Sequence, residues 1–203
     1  MEIIYKMLKD VERLRQDVMR EINEIGANDQ TTKKTTVYPM AKIEPLMVEG
    51  YPVFRFGYEG LLPIFIEDDY EYLSMIRNYY FRATLDSYDF KRFRLPVMKE
   101  VVVIFVQYFL NKKIGDLNNR NKKYIQDAIR QTRLFGDDDW QNVWNMDIGF
   151  LDNEKDHIQV YVVERKNLSS FMGYLMKYHE KLKDGTNYLP TKAEYEKYFA
   201  NEK

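Results

Sequence analysis

Residues 101–140 read VVVIFVQYFLNKKIGDLNNRNKKYIQDAIRQTRLFGDDDW, and the patterns in this stretch decide the fold. Its first ten residues are almost continuously apolar and rich in β-branched side chains, which predicts a central strand buried on both faces. Four apolar residues then recur at helical spacing: Tyr124, Ile125, Ala128 and Ile129. This spacing predicts an amphipathic helix after the strand.

Carboxylates flank the predicted helix at both ends. Asp116 precedes it and Asp127 lies within it, and three more acids follow its exit: Asp137, Asp138 and Asp139. Lys122 and Lys123 lie between these groups. Carboxylates that converge from both ends of a helix, with a lysine among them, can hold a divalent cation against a phosphate. Taken alone, the acidic triplet is more typical of a surface turn that opens a strand.

Short polar residues mark the ends of the helix. Asn118 or Asn119 can cap its start, since an amide oxygen accepts hydrogen bonds from the first free N–H groups of a helix. Gly136 can end the connection that follows.

Alternation resumes beyond the acidic triplet and predicts two strands. Trp140, Trp144 and three further apolar residues share one face of residues 140–150, so the two tryptophans are interpreted as core rather than as a base-stacking platform. Residues 152–155 are typical of a hairpin turn, and residues 157–164 alternate as a return strand. The sequence therefore predicts a β-hairpin after the helix.

The flanking segments complete a mixed architecture. Residues 37–65 hold four of the six prolines and three glycines, a composition typical of strands and turns. Apolar spacing predicts a helix through residues 72–80 and another that begins at Asn167 or Ser169. We expect an α+β domain with a mixed sheet, because a doubly wound fold needs more βα units than the chain contains.

Residues 2–25 carry a heptad pattern. Its apolar positions are Ile4, Met7, Val11, Leu14, Val18 and Ile25. This helix either packs on its own domain or forms a dimer contact. The expected organisation is an N-terminal helix over residues 1–27, a domain over 37–165 and a C-terminal helical extension over 166–203.

Composition narrows the class of protein. The 203 residues contain no cysteine, which excludes disulfides and thiolate metal sites. No apolar run approaches the roughly 20 residues that span a membrane, and the N-terminus lacks the pattern of a signal peptide. We therefore expect a cytoplasmic protein with no membrane partner. The two histidines, His157 and His179, are too far apart in sequence to indicate a metal site and are interpreted as ordinary strand or surface residues.

Charge points to nucleic acid only locally. The 31 basic and 32 acidic residues nearly cancel over the whole chain. Between residues 111 and 133, seven basic residues face two acids, a local net charge of +5. The basic residues are Lys112, Lys113, Arg120, Lys122, Lys123, Arg130 and Arg133. This run is either a solvated helix face or a surface for the DNA backbone, whose binding would depend strongly on salt.

The ordered motifs resemble the RusA-like Holliday-junction resolvases. The matching elements are a strand, Asp116-Leu117-Asn118-Asn119, a lysine six or seven residues after the first acid, Asp127-Ala128-Ile129, and the acids after Gly136. The resemblance covers residues 100–164, with weaker similarity back to about residue 50. The predicted hairpin strands also suit this family.

The resemblance implies a homodimeric, magnesium-dependent endonuclease that cuts branched DNA. Such enzymes act in DNA recombination and repair and are typical of phages and other mobile elements. By the same resemblance, Asp116 is a metal ligand, Asp137 or Asp138 is another, and Asp127 supports the site. Lys122 or Lys123 then acts against the scissile phosphate.

Asn118 departs from the family pattern, which has an acid at this position. An amide oxygen can ligate Mg²⁺ but carries no charge, so the substitution weakens a site built from carboxylates. Asp139 is a candidate to compensate. The alternative function is therefore a catalytically inactive RusA-like protein that binds DNA, or a dimeric interaction protein that acts through residues 2–25.

Overall fold

The computed structural model describes residues 41–63, 70–91, 97–112, 117, 120–136 and 139–183, together with residues 3, 6, 7, 10, 11, 13 and 14. The predicted site residues Lys113, Asp116, Asn118, Asp137 and Asp138 lie outside the described residues.

Five strands form one mixed sheet. They are β1 (Lys42–Val48), β2 (Tyr51–Glu59), β3 (Val101–Phe109), β4 (Val143–Leu151) and β5 (His157–Glu164). Their order across the sheet is β1-β2-β5-β3-β4. β4 runs parallel to β3, and the other neighbouring pairs are antiparallel. Together with three helices, this sheet confirms the predicted α+β class.

The apolar stretch forms an interior strand, as predicted. All nine residues of β3 are buried, because β4 and β5 cover its two edges and helices cover its two faces. A strand enclosed in this way has no polar face, which explains its continuous apolar sequence.

Helices α1 (Tyr70–Leu85) and α2 (Lys123–Gln131) cover one face of the sheet, which we call the first face. The predicted helical stripe of α2 is confirmed, since Ile125, Ala128 and Ile129 are fully buried against Val103, Phe105 and neighbouring core residues. This short helix connects the parallel strands β3 and β4.

Helix α3 (Leu168–Leu182) covers the opposite, second face. Phe171 and Leu175 are fully buried among Ile104, Val106 and Tyr161 of the sheet. The predicted C-terminal helix is therefore present, and its apolar face contributes to the core of the sheet.

The predicted β-hairpin is wrong, because β3 lies between β4 and β5. The connection over residues 152–156 crosses the end of β3 and binds its backbone. The Asp152 N–H donates to the Phe109 carbonyl at 2.8 Å, and the Leu110 N–H donates to Oδ1 of Asp156 at 2.8 Å. Two strand spacings are roughly 10 Å, a gap that five residues span easily.

The ends of α2 also differ from the expected pattern. Its first residue, Lys123, donates its N–H to Oδ1 of the buried Asn121 at 3.1 Å, so an asparagine nearer the helix binds its first turn. The chain leaves the helix through Arg133, whose φ of 61° is uncommon for a residue other than glycine. The turn therefore occurs three residues before Gly136.

The described residues between 3 and 14 are helical, in agreement with the predicted N-terminal helix. Three residues of the heptad stripe, Met7, Val11 and Leu14, are at least 62% exposed. These side chains are not packed on the domain, and a dimer contact through them stays a prediction. Among the described residues, no helix is long and apolar enough to cross a membrane.

Candidate functional site

Lys122 and Asp147 form an ion pair on the first face of the sheet. Lys122 immediately precedes α2, and Asp147 lies in the middle of β4 beside Phe105 of β3. Nζ of Lys122 contacts Oδ2 of Asp147 and lies 5.9 Å from the ring centroid of Phe105. Both charged side chains are mostly buried but keep some contact with solvent. The structure thus pairs the predicted lysine with an acid that the sequence pattern did not single out.

Leu117, which precedes α2 in the chain, contacts the same part of β4. Its side chain lies against Gly149, where an added Cβ would be 3.4 Å from Cδ2 of Leu117 and 3.3 Å from Cε2 of Phe109. Glycine permits this close approach because any larger residue would push on both side chains. Two points of the loop, Leu117 and Lys122, therefore contact β4 only two strand positions apart.

Three buried polar atoms on the first face, two of Gln107 and one of Asp147, lack hydrogen-bond partners among the described residues. Gln107 is fully buried, and neither its Nε2 nor its Oε1 has a hydrogen-bond partner in the described part of the chain. Oδ1 of Asp147 is likewise buried and unpartnered there. An unpaired buried polar group costs roughly 1–3 kcal/mol, so each one in a folded protein calls for a bound water or ion.

The residues of this region fit a hard cation. Carboxylate and amide oxygens are ligands that Mg²⁺ takes in proteins, and Asp147 and Gln107 offer one of each. Among the described residues, no group of three histidine, cysteine or acidic side chains is arranged to hold a metal ion.

Asp139 lies at the opposite end of β4 from Leu117. Its Oδ1 accepts hydrogen bonds from the N–H groups of Gln141 and Asn142 at 2.9 and 3.0 Å, and its Oδ2 accepts one from Nδ2 of Asn142 at 2.7 Å. Gly149 is six residues further along the chain than Val143, roughly 20 Å along the strand. The structure does not bring Asp139 together with Leu117 and Lys122, and its carboxylate closes a turn.

The two other predicted catalytic residues on α2, Lys123 and Asp127, differ in solvent exposure. Lys123 is exposed at the first position of the helix, whereas Asp127 is half-buried one turn later. Of the two candidate lysines, Lys122 is the one that contacts a carboxylate among the described residues.

The predicted DNA-binding residues differ in how free they are to meet a ligand. Lys112 and Arg133 are exposed, and Arg130 is half-buried. Nη1 of Arg120 donates to the Leu62 carbonyl at 2.9 Å, which ties this guanidinium to the segment before α1. If Arg120 binds DNA, it does so with a guanidinium that also donates to the Leu62 carbonyl.

A second polar cluster, which the sequence pattern did not reveal, joins Asp152, His157 and Lys183. Nε2 of His157 lies 3.1 Å from Oδ2 of Asp152, and Nζ of Lys183 lies 3.5 Å from Oδ1. Both histidines belong to one aromatic stack, in which His157 stacks on Tyr108 and His179 stacks on Phe150. Tyr108 and Phe150 pack together at 5.7 Å between ring centroids, so the histidines are linked despite their distance in sequence.

Opposing effects set the pKa values in this cluster. Burial lowers the pKa of His157 below its ordinary value, although the Asp152 carboxylate acts in the other direction. Burial alone would raise the pKa of Asp152. Hydrogen bonds from the Glu154 N–H and His157, together with the charge of Lys183, outweigh burial and lower it. The cluster is almost closed to solvent and joins the end of α3 to the sheet, which indicates a structural role.

The interpretation of the tryptophans as core is wrong. Trp140 is 80% exposed and Trp144 is 47% exposed, because Trp140 lies in a turn and Trp144 lies on an edge strand. The guanidinium of Arg165 covers Trp144 at 4.0 Å from the ring centroid, and Nη2 of Arg165 donates to the Gln141 carbonyl at 2.6 Å.

Comparison with known proteins adds no assignment. A scan against protein-family models matches no family, and a search of curated proteins finds no match.

Proposed function

We propose that this protein is a magnesium-dependent endonuclease that cuts branched DNA such as Holliday junctions, in the manner of the RusA-like resolvases. The support comes from the ordered motifs of residues 100–139 and from the lysine within them. Lys122 is six residues after Asp116, the spacing of the family resemblance, and its amine lies beside the Asp147 carboxylate.

The contact between Lys122 and Asp147 is the observation that carries this proposal. A lysine held by a carboxylate is positioned before a substrate binds. Lys122 is partly exposed, so a phosphate oxygen can approach its amine. The exposed Lys112 and Lys123 support binding of the DNA backbone, since lysine side chains commonly contact phosphates.

Each group has a defined part in the proposed reaction. Mg²⁺ would supply charge neutralisation and a nucleophilic water, and the resemblance assigns Asp116 to hold it. The resemblance also assigns Asp137 or Asp138, although the neighbouring Asp139 lies roughly 20 Å along β4 from the end that Leu117 contacts. Lys122 binds the non-bridging oxygens of the scissile phosphate, where negative charge grows in the transition state. Asp147 orients Lys122 through their ion pair. Two subunits of a homodimer then nick two strands of one junction.

A synthetic four-way junction and a linear duplex of the same sequence test this function. We expect the junction to be retarded in a gel without metal, to be cleaved with Mg²⁺, and to outcompete the duplex. Retardation without cleavage in Mg²⁺ or Mn²⁺ would favour the alternative of an inactive DNA-binding protein, which the uncharged Asn118 supports. Absence of both would favour an interaction protein that uses the exposed stripe of Met7, Val11 and Leu14.

A further inference from the structure

Three buried polar atoms without partners lie on neighbouring strands of the first face: Nε2 and Oε1 of Gln107 and Oδ1 of Asp147. Gln107 pairs with Gly149 across the β3–β4 ladder, and Phe105 pairs with Asp147. Gln107 and Asp147 therefore lie on adjacent strands, offset by two residues, with their side chains on the same face. From the strand spacing and the rise per residue, their Cα atoms are roughly 8 Å apart, so the two side chains leave the sheet at neighbouring positions.

The two oxygens of the Asp147 carboxylate have different surroundings. Oδ2 contacts the lysine amine, whereas Oδ1 is buried and has no partner among the described residues. Gln107 offers its amide oxygen from the neighbouring strand, also buried and unpartnered there. If Lys122 and Asp147 formed only a structural ion pair, three buried polar atoms of Gln107 and Asp147 would have no hydrogen-bond partner among the described residues. A bound cation that is coordinated by these oxygen atoms removes most of the free-energy cost of burying them without partners.

We propose that Asp147 and Gln107 are ligands of the divalent cation, through Oδ1 of Asp147 and Oε1 of Gln107. Asp147 supplies the negative charge that Asn118 does not, and β3 and β4 hold both donors on rigid strands rather than on the loop. The amide nitrogen of Gln107, which also lacks a partner among the described residues, would be available to donate to a water on the cation. The inference rests on the proposed function for the identity of the ligand, a hard divalent cation.

Binding of Mn²⁺ and Mg²⁺, measured by calorimetry and by the rise in melting temperature, tests the two residues without any DNA. We expect Asp147→Asn and Gln107→Leu each to weaken Mn²⁺ binding by about ten- to a hundred-fold, the range for residues that support a metal site. Gln107→Glu adds a carboxylate and should tighten binding and enlarge the metal-dependent rise in melting temperature. The control Asp86→Asn alters an exposed acid beyond α1 and should bind Mn²⁺ as the wild type does.

Asp116→Asn separates the inference from the proposed function. If this variant loses Mn²⁺ binding while Asp147→Asn and both Gln107 variants bind normally, the proposed function stands and the inference is wrong. If the wild type cleaves junctions but no Mn²⁺ response depends on Gln107 or Asp147, the outcome is the same. If Asp147→Asn does not fold, Gln107→Glu decides, because an unchanged metal response in that variant overturns the inference. A wild-type protein that neither binds Mn²⁺ nor cleaves DNA contradicts both.

Discussion

Nε2 of His157 lies 3.1 Å from Oδ2 of Asp152, and both side chains are almost completely buried. Because burial lowers the pKa of His157, the unfolded chain binds a proton at a higher pH than the folded protein does. Stability should therefore be complete above the ordinary histidine pKa of about 6.5 and should fall as the pH drops below it.

Chemical denaturation between pH 7.5 and pH 5.5 measures this effect. In His157→Gln, the decrease in the free energy of unfolding between pH 7.5 and pH 5.5 should be smaller by the contribution of this histidine. The variant should also be less stable than the wild type at every pH. The lowered pKa of Asp152 contributes only at more acidic pH, since its stabilisation is lost when the carboxylate is protonated. An equal slope in wild type and His157→Gln would contradict this assignment.

Lys122 and Lys123 form a matched pair for testing catalysis. They are adjacent and carry the same charge, but the Lys122 amine contacts Asp147 whereas Lys123 is exposed. We expect Lys122→Ala to reduce single-turnover cleavage of a junction by about a hundred-fold or more, as removal of a transition-state donor does. Lys123→Ala should alter cleavage less than about three-fold at saturating enzyme. Equal losses in the two variants would show that only the charge of this segment matters.

The exposed lysines should determine the salt dependence of DNA binding. In Lys112→Gln with Lys123→Gln, affinity for the junction should fall, and the slope of log K against log salt should become shallower by about 1–2. Both side chains are exposed, so melting temperature should be unchanged. Arg120 is unsuitable for this test because its guanidinium binds the Leu62 carbonyl. An unaltered slope between about 50 and 200 mM salt would exclude these lysines from the interface.

Asn118→Asp tests the departure from the family pattern. If the acidic site is functional but weakened, the added carboxylate should strengthen Mg²⁺ binding and raise the cleavage rate. Repulsion among the carboxylates should lower the melting temperature without metal and enlarge its rise with metal, because a ligand stabilises the state that it binds. Asp116→Asn in the same background should abolish both gains. A variant with unchanged melting and cleavage would indicate that the acids do not form a metal site.

Local patterns predicted the elements of this fold better than they predicted its pairing. The continuous apolar run of β3 and the stripe of Ile125, Ala128 and Ile129 identify a buried strand and a helix, because burial imposes their composition and period directly. The hairpin prediction failed because alternation in β4 and β5 does not report that β3 lies between them.

The candidate site was only partly predictable for the same reason. Lys122 and Lys123 were the alternatives predicted from their spacing after Asp116, a local property of the sequence. Asp147 is distant from Lys122 in sequence and contacts it only in the folded protein, and the register of β3 and β4 places Gln107 on the strand beside Asp147. The polar Gln107 within an apolar strand was the one signal available, since a buried strand accommodates such a residue only where it has a partner or a function.

Mapping of the cuts in a four-way junction tests the central claim most directly. Each of the four strands is labelled in turn and incubated with the protein and Mg²⁺, with Asp116→Asn as the matched inactive variant. We predict a pair of nicks on opposing strands near the branch point, dependent on Mg²⁺ and absent in Asp116→Asn although that variant still binds the junction. Uncut strands with the wild-type protein in both Mg²⁺ and Mn²⁺, or equal cleavage by Asp116→Asn, would contradict the account.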